Sequence, residues 1–113
     1  MRRVRLALMS SLDVGDIVIV HCRDPKEKFW GLLERLDAVG VAVRGLDLGG
    51  VEDWIRQEAA GGERLLTPST LFLPMHRVQR IDLDEAVGPV KALAERYRTA
   101  TGGDISKALG ADE

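Results

Sequence analysis

The sequence predicts a mainly β domain with added helices: a five-stranded, strongly bent antiparallel barrel, with one helix inserted before the fourth strand and another after the fifth. Three observations carry this. Short runs of apolar and β-branched residues recur along the chain, most clearly at Ile17–Val20, Phe29–Leu36 and Val41–Leu48. Gly31 and Gly45 lie inside such runs, where a missing side chain lets a strand bend or another backbone approach. The amphipathic 3.6-residue patterns fall outside them, at 51–60 and after Pro89.

Taken in order, residues 1–13 form an N-terminal segment in which Val4, Leu8 and Leu12 share a helical face, while Val4, Leu6 and Leu8 also alternate as in a strand. A short helix is the reading adopted, with Arg2, Arg3 and Arg5 as a solvated basic end. Val14–Cys22 is the first strand, and Gly15-Asp16 supplies a turn at its start. Arg23–Lys28 is a polar turn in which Pro25 stops the strand. Phe29–Leu48 is a long bent hairpin. Leu32, Leu33 and Leu36 are assigned to the core, Glu34 and Arg35 point outward, and Gly40 closes the turn with a positive φ.

Gly49-Gly50 and Gly61-Gly62 bracket a helix over 51–60, with Val51, Trp54 and Ile55 as its apolar stripe and Glu52 and Asp53 at its electropositive N-terminus. Trp54 is then a lid over one end of the barrel or, with Ile55, an anchor for a protein partner. Strands follow at Thr67–Leu73 and Val78–Leu83, separated by a turn or bulge at Pro74. Pro89 suits the first turn of a helix ending at Thr101, so residues 87–101 read as the C-terminal helix and 102–113 as a frayed tail with at most one helical turn. The barrel with its insert is expected to occupy 14–86.

Composition bounds the function classes. A net charge of −2, from 16 Lys and Arg against 18 Asp and Glu, argues against an extended nucleic-acid-binding surface but leaves room for a local basic patch. One cysteine, Cys22, excludes an internal disulfide framework and fits a cytoplasmic protein. No apolar run approaches the ~20 residues needed to cross a bilayer, and no targeting signal stands out, so no membrane partner is expected.

The spacing within the hairpin is more specific. Gly31, Leu33, Leu36 and Asp37 match the first motif of the Sm-like proteins, the group that includes eukaryotic LSm proteins and bacterial Hfq. Gly15, Val18 and Val20 match the family's first strand, and Leu73, Val78 and Ile81 reproduce the apolar skeleton of its second motif. The chain resembles that family over residues 12–84. The resemblance implies an SH3-like small barrel whose open strand edges pair between subunits to form a ring, and a pocket that binds RNA. The pocket residues differ. Val41 stands near the position of the family's base-contacting Asn, Pro74-Met75 replaces its Arg-Gly pair, and Phe72–His76 replaces the Tyr-Lys-His segment of Hfq. Hydrogen-bonded base readout needs planar polar groups, which valine, proline and methionine lack.

Candidate sites follow from these readings. Homo-oligomerisation is assigned to Leu71, Phe72, Leu73, Val78 and Ile81 on the fourth and fifth strands. RNA contact, if it survives, falls to His76, Arg77, Arg80, Lys26 and Lys28. No metal site is expected, because His21 and Cys22 are adjacent on a strand and point to opposite faces. No cofactor is expected either: the glycine pairs lack the lysine and serine or threonine of a phosphate loop. No catalytic residue is assigned, since Cys22 has no helix N-terminus to activate it. The chain therefore reads as a non-enzymatic, self-assembling module that binds a protein partner; the alternative is an RNA-binding protein with a diverged pocket.

Overall fold

The computed structural model describes residues 12–110. The N-terminal helix expected before Leu12 lies outside the described residues. Five antiparallel strands, β1 (Ile17–Cys22), β2 (Glu27–Leu36), β3 (Gly40–Asp47), β4 (Ser69–Pro74) and β5 (Val78–Leu83), form one sheet in the order β4-β3-β2-β1-β5. A 3₁₀ turn at Leu48–Gly50 leads into helix α1 (Val51–Ala60), a second 3₁₀ turn at Met75–Arg77 joins β4 to β5, and helices α2 (Leu93–Thr101) and α3 (Ile105–Ala108) follow.

Both faces of the sheet are covered, which explains why β1 is apolar at successive positions. Val18, Val20 and Cys22 enter one core with Leu33 of β2, Val41 and Val43 of β3 and Leu73 of β4; Val78, Ile81 and Leu83 of β5 pack against it. Ile17 and Ile19 point to the other face, where they pack against the core of Trp30, Leu32, Trp54, Ile55 and Tyr97. The sheet curls enough for its first and last strands to share the first core. It does not close: β4 pairs only with β3 and β5 only with β1.

The bend has a local cause. Gly31 and Gly45 face each other across β2 and β3. A Cβ on Gly31 would lie 2.4 Å from the Arg44 carbonyl oxygen, and one on Gly45 would lie 1.9 Å from that of Trp30. No side chain fits between the backbones. Gly40 is needed for a similar reason and not for a positive φ, which it lacks: a Cβ there would lie 2.5 Å from both the Phe72 ring and the Leu73 carbonyl oxygen. The turn itself is held by Asp37, whose Oδ1 accepts from Val39 N at 2.9 Å and Gly40 N at 3.2 Å. Leu36, assigned to the core from its spacing, is partly exposed beside this turn because β2 carries an irregularity between Leu33 and Arg35.

Helix α1 follows its pattern closely. Val51, Trp54 and Ile55 are buried, and Gly61 ends the helix at φ 72°. Trp54 stacks on Tyr97 at 5.0 Å and meets Trp30 at 5.8 Å. Trp54 and Ile55 are thus consumed by their own core, at 0% and 7% exposure, and offer no anchor to a partner. The C-terminal helix starts at Leu93, later than Pro89 suggests. Val87 and Val90 instead close a tight turn through paired backbone hydrogen bonds of 2.9 and 3.0 Å. The residues beyond it are docked rather than frayed as far as Gly110: Ile105 and Leu109 are buried in the helix-side core.

Candidate functional site

Two regions carry what the sequence singled out. The first is the pair of sheet ends. Of the five residues assigned to self-association, Leu71, Leu73, Val78 and Ile81 point into the core shared by β4 and β5. Phe72 is the exception: it lies on the opposite face, opposite Ala42, with 48% of its surface exposed. Outward, β4 and β5 present Ser69, Thr70, Phe72, Gln79 and Arg80, of which Phe72 is the one large apolar side chain. Arg77, in the 3₁₀ turn between them, is engaged through two of its three guanidinium nitrogens. Its Nε donates to the Arg23 carbonyl at 3.1 Å, and its terminal nitrogen donates to the Pro25 carbonyl and to Glu27 Oε1, both at 2.7 Å. These bonds clamp the β4–β5 connection onto the β1–β2 turn. His76 is exposed beside it, and its carbonyl accepts from Arg23 Nε at 3.2 Å.

The second region is a cationic row on the outer face of β2, β1 and β5. His21 of β1 lies opposite Lys28 of β2 on one side and Arg80 of β5 on the other. Lys26 joins them from the β1–β2 turn around a cavity of about 190 Å³, which Glu27 and Gln79 also line. The helices cover the other end of this face, over Ile17, Ile19 and Trp30, and leave this end bare. A break in the β1–β5 ladder between His21 and Cys22 leaves Gln79 without a strand partner, and a bulge of this kind re-aims neighbouring side chains. Asp82 sits at the border of the row. Its Oδ2 meets His21 Nε2 at 2.9 Å and accepts from Arg80 Nε at 3.2 Å.

Of the residues assigned to RNA contact, the fold thus gathers Lys26, Lys28 and Arg80, while Arg77 is tied up in the clamp and His76 lies on the 3₁₀ turn. Sequence reading missed His21 and Asp82 as members of the cluster. The signal was available in the alternation of Arg80 and Asp82, which puts both on one face of β5. Cys22, next to His21, faces inward at 1% exposure. Removal from water pushes its thiol pKa up; Arg77 pulls it back and Glu27 adds to the rise. It is a poor nucleophile in that setting. Among the described residues no group of three His, Cys, Asp or Glu side chains could hold a metal ion, and no helix is long and apolar enough to cross a membrane.

No protein-family model, curated protein or solved structure matches this chain.

Proposed function

We propose that this chain is a non-enzymatic, self-assembling interaction module built on an Sm-like barrel, in which β4 of one subunit pairs with β5 of the next. The observation that carries the reading is the pair of open sheet ends: β4 and β5 share a core and are joined by Met75–Arg77, yet among the described residues neither has a second strand partner. Unpaired strand edges bind other strands unless something blunts them. Pairing β4 with β5 is head-to-tail, so repetition closes a ring or runs on as a filament. The Arg77 clamp supports this geometry by fixing how the two edges sit relative to each other. The buried, protonated Cys22 supports the non-enzymatic part.

Multi-angle light scattering at micromolar concentration tests it. A mass several times that of one chain is expected. A clean monomer across the concentration range overturns the proposal.

A further inference from the structure

We infer that the bare end of the outer sheet face is a binding site for phosphate groups, held by Lys28, Lys26 and Arg80 beside His21. The inference stands on a single subunit and does not need self-association. Lys28 and Arg80 occupy the two positions flanking His21 on neighbouring strands. The acids nearby leave the two lysines unpaired, although Asp82 offsets Arg80. Glu27 is held by Arg77, and Asp82 serves His21 and Arg80 from the border of the row. Among the described residues, Lys26 and Lys28 have no carboxylate partner, and both are exposed.

The shape agrees with the charge. The cluster surrounds a concavity, not a flat surface, and the unpaired Gln79 adds an amide donor to its lining. Asp82, by holding His21 Nε2, fixes the ring that forms one wall. A phosphate has several acceptor oxygens and no donor at full ionisation, so it complements two ammonium groups, a guanidinium and an amide. No Phe, Tyr or Trp ring lines the cavity to stack a base, and its cationic groups are Lys26, Lys28 and Arg80. The ligand is therefore recognised by its phosphate, whether that belongs to a nucleic-acid backbone or to a small phosphorylated molecule.

The test uses the full chain and two probes. Fluorescein-labelled oligo-uridylate and oligo-adenylate are titrated by anisotropy across a salt series, and inorganic pyrophosphate is titrated while the amide resonances around Gln79 are followed. With three cations engaged on a single strand, raising salt from about 50 to about 200 mM is expected to weaken oligonucleotide binding about twentyfold, equally for both bases. Lys28→Ala should reduce that factor to about sevenfold. Pyrophosphate binding without oligonucleotide binding, lost in the Lys26→Ala/Lys28→Ala variant, also upholds the site and assigns it to a small ligand. The inference fails if neither probe binds at low salt. It fails equally if binding is unchanged in both lysine variants, whose exposed positions leave folding intact.

Discussion

Asp84 connects parts of the chain that are distant in sequence. Its Oδ2 accepts from Trp30 Nε1 at 3.2 Å and from Ala94 N at 2.8 Å, and its Oδ1 accepts from Leu93 N at 2.8 Å. Ala92, at the N-cap of α2, has no side chain able to satisfy those amides, so a carboxylate from the end of β5 does it. Asp84→Ala removes the cap and strands the indole N–H together. A loss of about 2–4 kcal/mol in urea unfolding is expected, with Asp84→Asn recovering part of it through its remaining acceptor. Asp37 gives a pH signature at the same scale. The Arg35 guanidinium, at 2.7 Å, holds its carboxyl below the ordinary aspartate value, with the Val39 and Gly40 amides helping. A depressed value means the turn is favoured above the unfolded pKa and loses that support as pH falls through the folded one. The Val39 and Gly40 amide shifts should therefore titrate with a midpoint below that of an unstructured aspartate.

Among the elements, the β2–β3 hairpin is the one most dependent on composition at single positions. Gly45→Ala puts a methyl into the Trp30 carbonyl, and both partners are backbone, so neither can rotate away. A destabilisation of about 3 kcal/mol is expected by chemical denaturation, against a few tenths for Gly62→Ala, whose added Cβ meets nothing. Gly31 and Gly45 were legible because both fall inside apolar runs. Helix α1 was legible because its period and its flanking glycines agree. The start of α2 was not: Pro89 has the local chemistry of a first helical turn, but the amide acceptor that fixes the start at Leu93 lies nine residues back, at Asp84. Likewise α3 gives only a weak local signal, and its order comes from Ile105 and Leu109 finding the helix-side core. The candidate site was half legible for the same reason. Lys26, Lys28 and Arg80 stand out by their charge, whereas His21 is brought between Lys28 and Arg80 only through strand pairing.

At the scale of the whole molecule, β2 is the central partition. Trp30 and Leu32 face one core and Leu33 the other, so neither core exists without it. The sheet ends are left open among the described residues, and Phe72 is the exposed ring beside one of them. Phe72→Asp should leave the single chain folded, because the ring is already half in water, and should lower the assembled mass seen by light scattering by burying a charge in any contact there. An unchanged mass would place the contact elsewhere.

The three-way grip of Asp84 also bears on how the molecule opens. Because one carboxylate holds β2 through Trp30 and α2 through its first amides, peeling the helix from the sheet breaks both amide bonds and uncouples the helix from the acceptor that Trp30 also uses. The amide protons of Leu93 and Ala94 then belong to the same cooperative opening unit as the central strands, and they exchange with solvent on the sheet's timescale rather than on that of a helix end.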